Sequence, residues 1–382
     1  MEKIYTALGL MSGTSLDGID LSVIDSDGES EFSLIFDKYF KYDDHLVKKL
    51  LLIRDKISNS NDIVRYKDQL DEIERDFTLF NAKIINETLN SMSKNVDVIG
   101  FHGQTIYHNP SEKMSIQIGD GNLLSQLTKK KVVFNFRQND LNNGGQGAPL
   151  TPIFHNMLAN KVMRDFNQKF PINIINIGGI ANITITVEQK KLWKSKDMIA
   201  FDIGPGNCLI DKWIRKNSKK KYDEKGLLAK SGHTDELILN QALENFSNQT
   251  FSYENSLDVS DFDIFFAKGL SIENGASTIT DFTAKIISEG IDYVHSRYSL
   301  KNSEWLVCGG GRKNEYLIEK IQSYLKNINL TVSEKYNVNG DFVESQAFAY
   351  LAIRSIEKKP ISFPSTTRCK KFLTGGIVIK NF

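Results

Sequence analysis

Hydroxyl and carboxylate side chains are concentrated in a glycine-rich stretch near the start of the chain, residues 9–20, which reads GLMSGTSLDGID. Gly13 and Gly18 allow the backbone to turn sharply and to approach an anion closely. Hydroxyl donors for the same anion lie at Ser12, Thr14 and Ser15. Apolar residues on either side predict one strand before this turn and one after it. The pattern indicates a phosphate-binding turn or, equally, a hairpin turn without a ligand, and the lysine of a Walker motif is absent.

Two further glycine clusters follow predicted strands later in the chain, at residues 204–206 and 309–311. Carboxylates accompany the turns, at Asp17, Asp20 and Asp202. A phosphate-facing hairpin in each half, with a late glycine cluster against which a nucleoside can lie, is typical of an ATP cleft between two domains. Binding of a Mg²⁺-nucleotide requires oxygen ligands close to the phosphates. The order and spacing of the turns therefore predict ATP and Mg²⁺ as cofactors.

Polar residues also follow predicted strands in the first half of the chain. His102 comes directly after the strand predicted at residues 96–101. Arg137 and Asp140 follow the strand predicted at residues 132–136. In open α/β sheets, ligands bind beyond the carboxyl ends of the strands. These three residues are therefore candidates for a small-molecule site.

The elements that would position these turns read as alternating strands and helices. Residues 63–89 place apolar side chains every three, four or seven positions, as an amphipathic helix does. Residues 342–356 predict a late, alanine-rich helix. The strongest interruption is NNGGQGAP at residues 142–149, a predicted hinge or domain boundary that contains Gln146.

The length of 382 residues exceeds what one hydrophobic core comfortably serves, so two domains are expected. We place the boundary after residue 140. The predicted N-terminal α/β domain covers residues 1–140 and is joined by residues 357–382, and the predicted C-terminal α/β domain covers residues 141–356.

Composition excludes several classes of partner. With 48 basic and 47 acidic residues the formal net charge is +1, which argues against a nucleic-acid partner, and the lysine runs read as solvated faces. Three widely separated cysteines indicate neither a disulfide framework nor a zinc site, which fits a reducing cytoplasm. We find no signal-peptide pattern and no apolar run near the roughly 18 residues that cross a bilayer, so no membrane partner is expected.

Eight segments of the chain occur in the order found in one enzyme family. They are MSGTSLDGID, FHGQTIYH, QIGDGN, GGQGAPLTPIFH, NIGGIANIT, FDIGPGN, VCGGGRKN and GDFVESQAFAYLAIR. In these segments the chain resembles the anhydro-N-acetylmuramic acid kinases, from residue 9 to about residue 354. The resemblance implies an α/β, two-domain actin-like ATPase fold of the ribonuclease H-like kind, with an ATP and sugar cleft between the domains.

The resemblance also implies an activity. The family uses ATP and water to open the 1,6-anhydro ring of 1,6-anhydro-N-acetylmuramic acid while phosphorylating its 6-oxygen, which gives N-acetylmuramate 6-phosphate in peptidoglycan recycling. It implies a cytoplasmic enzyme with a small-molecule sugar substrate, ATP and Mg²⁺, and it suggests a homodimer.

The glycine turns, the polar residues after the strands and at the hinge, and the family resemblance together give the predicted site residues. The predicted ATP-binding residues are Gly13, Thr14, Ser15, Leu16, Asp17, Gly18, Ile19, Asp20, Gly204, Gly206, Asn207, Gly309, Gly310 and Gly311. The predicted substrate-binding residues are Arg137, Asp140, Gln146, His102 and Glu344. Asp17 and Asp20 are the predicted Mg²⁺ ligands.

Asp202 is the predicted catalytic residue. Opening an acetal with water requires a base aimed at the anomeric carbon, and the resemblance implies that the matching aspartate activates this water. Asp202 ends an apolar strand beside the GPG turn, where burial and nearby phosphates both raise the pKa of a carboxyl group. The alternative is a structural carboxylate that accepts N–H groups of its own turn.

Three substrate candidates also have more than one interpretation. Glu344 lies three residues after Asp341, the spacing of a helix capping box, so it either starts the helix or contacts the sugar as the resemblance implies. His102 either orients the sugar or is satisfied within its own turn. Arg137 is suited to neutralise the lactyl carboxylate of the sugar or a phosphate, because a guanidinium can donate two parallel hydrogen bonds.

The chain departs from the family at two places. Residues 253–259, YENSLDV, lack the basic residues of the family's Pro-Pro-Lys-Ser stretch, and Arg368 stands where a glycine is usual. The first departure keeps two other functions open: a related kinase for another amino sugar or sugar acid, and a nucleotide-binding protein of the same fold without turnover. The retained glycine turns and Asp202 favour an active enzyme.

Overall fold

Short apolar runs bounded by glycine and polar residues form the strands of this chain, and amphipathic segments between them form the helices. The structure, a computed structural model, describes residues 3–13, 16–168, 172–187, 198–248, 257, 259–300 and 303–382. Their contacts divide the chain into two units, one of Met1–Lys161 with Phe342–Phe382 and one of Val162–Asp341.

Strands and helices alternate in the first unit. In chain order its elements up to residue 166 are β1 (Tyr5–Met11), β2 (Gly18–Ser26), β3 (Phe32–Lys41), α1 (Asp44–Lys56), α2 (Ser60–Arg65), α3 (Lys67–Ser91), β4 (Val98–Phe101), β5 (Gln104–Asn109), β6 (Met114–Ile118), α4 (Gly121–Thr128), β7 (Lys131–Phe134), α5 (Gln138–Asn142) and α6 (Pro152–Phe166). The last of these helices passes into the second unit after Lys161.

The second unit repeats this alternation. Its elements are β8 (Ile172–Ile177), β9 (Ile180–Ile185), β10 (Ile199–Pro205), α7 (Cys208–Asn217), α8 (Leu227–Ser231), α9 (Glu236–Asn248), α10 (Ile272–Arg297), β11 (Glu304–Cys308), α11 (Glu315–Tyr324) and β12 (Leu330–Val332). The chain then returns to the first unit with α12 (Val343–Ile356), α13 (Pro364–Thr367) and β13 (Ile377–Ile379).

Each unit contains one main sheet, and the two sheets share part of their strand pattern. The first has the strand order β13-β7-β4-β1-β2-β3 and the second has β10-β9-β8-β11-β12. In both, three consecutive strands form an antiparallel meander, and the first strand of the meander also pairs in parallel with a strand that follows a helical segment or a long connection. The α/β class predicted from the sequence is confirmed. The β1–β2 connection and the β8–β9 connection occupy equivalent places in the two sheets.

One helix from the end of the chain covers the first sheet. A Cβ atom built at Gly9 of β1 would lie 2.0 Å from the carbonyl oxygen of Ser345, and one at Gly100 of β4 would lie 2.1 Å from that of Phe348. Because both strands carry glycine at these points, α12 lies directly on the sheet backbone. The sequence placed this helix in the second domain, with boundaries after residues 140 and 356, whereas the units divide after residues 161 and 341.

Sequence periodicity located most buried elements, but it merged two helices and missed the exposed strand β3. The single helix predicted at residues 63–89 is two helices, because Tyr66 leaves helical geometry between α2 and α3 with φ −105° and ψ 21°. The edge strand β3 has no clear apolar alternation, since it is mostly exposed or half-buried. Among the described residues, no helix is long and apolar enough to cross a membrane.

Candidate active site

The loop between β1 and β2 is held by polar side chains from other parts of the first unit. Ser12 Oγ donates to the Gln104 side chain and lies 2.6 Å from the Tyr42 hydroxyl. The Gln104 amide donates to the Gly13 carbonyl at 3.2 Å. The Tyr42 backbone N–H donates to the Asp17 carbonyl at 3.0 Å. The predicted phosphate turn is therefore anchored on both sides, by two residues, Tyr42 and Gln104, that the sequence did not assign to it.

Several residues predicted to bind ATP in this loop direct their side chains into the protein. Leu16 and Ile19 are each 1% exposed and belong to the apolar core of the first unit. A Cβ atom at Gly18 would lie 2.5 Å from a backbone oxygen of β3, so glycine is required there for packing. Leu16, Gly18 and Ile19 can therefore meet a nucleotide only through their backbone. Thr14 and Ser15, also predicted to bind ATP, lie outside the described residues.

Asp17 and Asp20, the predicted Mg²⁺ ligands, lie near two tyrosines, Tyr39 and Tyr42. Burial raises the pKa of Tyr39, and the charges of Asp17 and Asp20 raise it further. Burial also raises the pKa of Tyr42, with the same two carboxylates adding to the effect. Both aspartates are partly exposed. In the part of the chain that the structure describes, no cluster of three or more histidine, cysteine, aspartate or glutamate side chains is placed to hold a metal.

His102 and Arg137 form a buried pair. His102 is 4% exposed, its Nδ1 lies 2.8 Å from the Gly103 carbonyl, and its Nε2 lies 3.0 Å from Arg137 Nη2. A carbonyl only accepts and a guanidinium only donates, so Nδ1 carries the proton and Nε2 accepts. Burial, followed by the charge of Arg137, lowers the pKa of His102 to about 3. The histidine is neutral, and Arg137 Nη1 is further fixed by the Gly147 carbonyl at 2.8 Å.

Glu344 lies in the first turn of α12 and does not cap it. The N-cap residue is Phe342, without a side-chain hydrogen bond, and Asp341 pairs with Arg312 at 2.7 Å instead. The capping-box interpretation is therefore wrong. Burial raises the pKa of Glu344, and the positive charge of Arg137 opposes this shift. The carboxyl group consequently lies within the electrostatic reach of the Arg137 guanidinium.

Asp140 organises the loop that carries Gln146. Its carboxylate, 1% exposed, accepts the Gly147 N–H at 2.7 Å and the Thr367 hydroxyl at 2.6 Å. A Cβ atom at Gly145 would lie 2.1 Å from the same carboxylate. The Gln146 N–H donates to the Thr367 carbonyl at 2.6 Å, and the Gln146 side chain is partly exposed. Asp140 thus has protein donors on both oxygens, while the side chain of Gln146 lies at the surface of the loop.

Arg368, the residue after Thr367, is one of the two places at which the chain departs from the family, and its backbone conformation explains why glycine is usual there. Its φ of 64° lies in the left-handed region, at the C-cap of α13. Glycine enters that region without steric cost, which accounts for the glycine that is usual at this position. Arg368 adopts the same backbone conformation with a side chain whose Nη1 donates to the Ser365 carbonyl at 3.4 Å.

Asp202 lies in β10, opposite Asn182 of β9, where the pairing register shifts before Gly204. It is 9% exposed, and its Oδ2 accepts the backbone N–H of Leu257 at 2.9 Å. This donor comes from residues 253–259, the segment that departs from the family. Of that segment the structure describes Leu257 and Val259, and the other residues lie outside the described part. The departing segment therefore contacts the predicted base directly.

The turn at Gly178 and Gly179 was not assigned to the site from the sequence. It joins β8 to β9 and is the equivalent of the β1–β2 loop in the second sheet. The N–H of Asn207 donates to the Gly178 carbonyl at 2.8 Å, and that of Gly206 donates to the Gly179 carbonyl at 2.9 Å. The recurrence of strand, two glycines and strand in NIGGIANIT was the signal available in the sequence. Gly206 and Asn207 thus hold this turn at the start of α7 with their backbone N–H groups.

The three glycines at residues 309–311 differ in whether a side chain would fit. Gly309 has φ 80°, and a Cβ atom there would lie 2.4 Å from Asn176 Oδ1. At Gly311 a Cβ atom would lie 2.2 Å from a side-chain carbon of Ile177. Gly310 is exposed, and the atom nearest to a Cβ built there is the side-chain amide nitrogen of Asn207, at 3.8 Å. Packing therefore requires glycine at two positions, and only Gly310 presents open backbone.

Comparisons with known proteins agree with the order of the motifs. The family described as "Anhydro-N-acetylmuramic acid kinase" matches residues 5–380. A protein of that name from Pelagibacter ubique (strain HTCC1062) is 54% identical over 385 aligned residues, covering 100% of both chains. One from Brucella canis (strain ATCC 23365 / NCTC 10854 / RM-666) is 35% identical, again covering 100% of both. A hexokinase from Schistosoma mansoni complexed with glucose has a TM-score of 0.41 at 11% identity, covering 91% of this chain and 85% of that one.

Proposed function

Because the chain belongs to the anhydro-N-acetylmuramic acid kinase family, we propose that it is an ATP-dependent kinase that opens the 1,6-anhydro ring of 1,6-anhydro-N-acetylmuramic acid with water and phosphorylates the 6-oxygen. The product is N-acetylmuramate 6-phosphate, an intermediate of peptidoglycan recycling. The observation that carries this proposal is the family match over residues 5–380, which includes every glycine turn and Asp202.

The reaction requires one base and one phosphoryl acceptor. The oxygen of water forms a bond to C1 of the sugar while the bond between C1 and O6 breaks. O6 leaves as an alkoxide and forms a bond to the γ-phosphorus, and ADP departs. One proton of the water passes to the base, and O6 needs no deprotonation because it never carries a proton. A single carboxylate is therefore sufficient for the proton transfer.

Asp202 is the base in this proposal. A base must be ionised before it accepts a proton, and a backbone N–H that donates to a carboxylate favours the ionised form. The 2.9 Å hydrogen bond from Leu257 to Oδ2 acts in this direction and fixes the plane of the carboxylate. Asp202 lies within the buried strand β10, so the group is held by the rigid sheet.

Arg137 and Glu344 bind the sugar in this proposal. Since His102 is neutral, Arg137 supplies the positive charge of the pair and suits the lactyl carboxylate of the substrate. Glu344 lies within the electrostatic reach of Arg137, and its carboxyl oxygens can contact a hydroxyl group of the sugar. Gln146 adds an amide that both donates and accepts, and Asp140 supports the loop from which Gln146 projects.

The nucleotide is bound by the glycine turns. In the first unit we propose that the β1–β2 loop contacts phosphate; in the second unit we propose that the turn at Gly178 and Gly179 contacts phosphate and that Gly310 contacts the nucleoside. Asp17 and Asp20 would hold Mg²⁺, since two carboxylates completed by phosphate and water oxygens are its usual ligands. When bound, the ion neutralises charge on the transferring phosphoryl group.

Location and assembly complete the proposal. The three cysteines, Cys208, Cys308 and Cys369, are free and buried, which fits a reducing cytoplasm. A homodimer is proposed on the family resemblance, and light scattering coupled to size-exclusion chromatography would test it.

An ADP-release assay coupled to pyruvate kinase and lactate dehydrogenase tests the activity. Purified protein with ATP, Mg²⁺ and the anhydro sugar should release ADP in proportion to sugar consumed, and mass spectrometry should find the 6-phosphate with one added water. Release of ADP with open-ring amino sugars alone would replace this proposal by a kinase for another sugar. Nucleotide binding without turnover on any sugar would leave a binding protein.

A further inference from the structure

Arg312 directly follows the late glycine turn, and its side chain is only 4% exposed. Glu334 accepts from Nε at 2.7 Å and pairs with Nη2 at 2.5 Å. Asp341 accepts from Nη1 at 2.7 Å. Two neutral acceptors complete the set, the Gly309 carbonyl at 2.9 Å from Nη1 and the Asn339 side chain at 3.3 Å from Nη2. A guanidinium has five N–H groups, of which four donate hydrogen bonds to these acceptors, and Nη2 also forms the ion pair with Glu334.

The Arg312 side chain joins the turn at residues 309–311 to residues 334–341. Gly309 is linked to Arg312 through its carbonyl and to Gly340 through its N–H, which donates at 3.1 Å. A Cβ atom at Gly340 would lie 2.5 Å from Arg312 Nε, so the segment passes tightly over the guanidinium. Without the Arg312 side chain, the link between the turn and this segment would therefore be reduced to the Gly309–Gly340 backbone hydrogen bond.

The charges of this cluster balance locally. Burial alone would lower the pKa of Arg312, but hydrogen bonds to Asp341 and Glu334 raise it overall. The pKa values of Glu334 and Asp341 are correspondingly lowered by Arg312, although burial acts against this. Lys313, the next residue, pairs with the second oxygen of Asp341 at 2.5 Å. An arginine neutralised by two carboxylates has little positive charge left to attract a phosphate.

We propose that Arg312 is a positioning residue that holds the backbone of Gly310 in the shape that accepts the nucleoside, and that it does not bind phosphate itself. The proposal rests on the proposed function in taking an adenine nucleotide as the ligand and in placing its nucleoside at Gly310. The opposite role would be direct phosphate binding, because a free guanidinium can donate two parallel hydrogen bonds to a phosphate.

Binding of adenosine and of ADP separates the two roles. Calorimetry without sugar would measure both dissociation constants for the unmodified protein, Arg312→Lys and Arg312→Met. We expect both ligands to weaken by the same factor, about tenfold or more, since misplacing a binding group by about 1 Å costs on the order of a hundredfold. The ratio of the two dissociation constants should stay constant. Loss of ADP affinity alone would show a phosphate contact and overturn the proposal, as would unchanged affinity for both ligands.

Two further variants separate positioning from loss of fold. Lys320→Met removes the 2.8 Å ion pair with buried Asp281 between α10 and α11 of the same unit, and should lower the melting temperature without changing nucleotide affinity. If Arg312→Met does not fold, Glu334→Gln keeps an acceptor but removes a charge, and should weaken both ligands equally by a smaller factor. In turnover assays the Arg312 variants should raise KM for ATP and leave KM for the sugar unchanged. Because the binding measurements contain no sugar, they remain valid if the anhydro sugar is not the substrate.

Discussion

The guanidinium of Arg137 donates to Nε2 of His102 across 3.0 Å, while Nδ1 of the same ring is engaged by the Gly103 carbonyl at 2.8 Å. Both ring nitrogens are therefore committed to protein partners. Phe348 of α12 packs against the ring at 4.5 Å between centroids. His102 thus orients a cation, a role that the sequence did not reveal, and its predicted contact with the sugar stays a prediction.

Replacing His102 by phenylalanine should raise KM for the sugar. Phenylalanine keeps the packing on Phe348 but removes the acceptor for Arg137, and a hydrogen bond to a charged group is worth about 1.5–3 kcal/mol, or roughly ten- to a hundredfold in binding. Steady-state kinetics should show KM for ATP unchanged. His102→Gln, which restores an acceptor, should recover part of the affinity. Equal kinetics for the two variants would contradict a positioning role.

Asp202→Asn should abolish ring opening and phosphorylation together. General base catalysis contributes about 10²–10⁴-fold, so the expected loss in kcat is at least in that range, and ATP binding should remain. The measurement is ADP release with the anhydro sugar beside calorimetric binding of ATP. Asp263→Asn is the control, because Asp263 is exposed, pairs with Lys212 at 3.7 Å, and accepts the Phe265 N–H at 2.7 Å through an oxygen that asparagine retains. A variant that lost only nucleotide affinity would make Asp202 a Mg²⁺-shell residue.

The two neighbouring glycines of the late turn should respond differently to alanine. Gly311→Ala places a Cβ atom 2.2 Å from Ile177 and should lower stability, since overpacking costs about 1–3 kcal/mol. Gly310→Ala has open space and should keep the melting temperature. It should nevertheless raise KM for ATP, because the added methyl group lies where the nucleoside is proposed to bind. Unchanged KM in a stable Gly310→Ala protein would move the nucleoside elsewhere.

Stability should depend on pH through Asp37, whose pKa burial raises to about 6 even though Ser22 and Gln346 donate to it. The folded pKa lies above the ordinary value of 3.8, so Asp37 costs no stability below pH 4, and the cost grows as pH rises to about 6. Asp37→Asn should therefore stabilise the protein at pH 7.5 by about 1 kcal/mol, after allowance for partial exposure. Urea unfolding at pH 4 should show no such gain.

Asp27 provides the control of opposite sign for that experiment. Burial alone would raise its pKa, but three backbone N–H groups, from Glu29, Ser30 and Glu31, lower it below the ordinary value. Its stabilising contribution is present at neutral pH and is lost as pH falls through the folded pKa. Asp27→Asn should destabilise the protein at pH 7.5 and differ less from the unmodified protein in acid. If Asp37→Asn and Asp27→Asn changed the stability at pH 7.5 in the same direction, the opposite pKa shifts of Asp37 and Asp27 would be refuted.

Removal of a predicted Mg²⁺ ligand should raise the Mg²⁺ requirement. At saturating ATP, Asp17→Asn and Asp20→Asn should each need about tenfold more Mg²⁺ for half-maximal rate, since each loses one charged oxygen ligand worth about 1.4 kcal/mol or more. Asp25 lies on β2 with Asp20, and its carboxylate pairs with Lys94, so Asp25→Asn should leave the Mg²⁺ requirement unchanged. A requirement unaltered in all three variants would assign the ion to other ligands.

Local chemistry explains what the sequence revealed about the fold. The strands β1 and β8 are apolar runs followed within two residues by glycine, and α10 and α12 are long helical patterns, so their existence follows from short-range preferences. The same holds for the glycine turns, because glycines clustered between apolar runs mark turns, and Gly204 and Gly309 have positive φ angles that glycine adopts readily. Asp202 could be singled out because a carboxylate at the end of an apolar strand is unusual. These features depend on neighbours within a few residues.

The tertiary structure decided what depends on distant partners. Ser12 meets Gln104 across 92 positions, and Asp140 meets Thr367 across 227. Neither pair has a sequence signature, because a hydrogen bond between remote segments depends on how the whole sheet is assembled. The same reason explains why α12 packs in the first unit and why the equivalent of the β1–β2 loop is the turn at Gly178 and Gly179.

The sequence by itself therefore determined the kind of chemistry, through glycine turns, carboxylates and one family's motifs in order. Only the tertiary structure decided how individual side chains are used: His102 supports Arg137, Asp140 supports its loop, and Arg312 is saturated by protein acceptors. The physical reason is that a residue's type limits which hydrogen bonds it can make, whereas the fold selects which of them it does make.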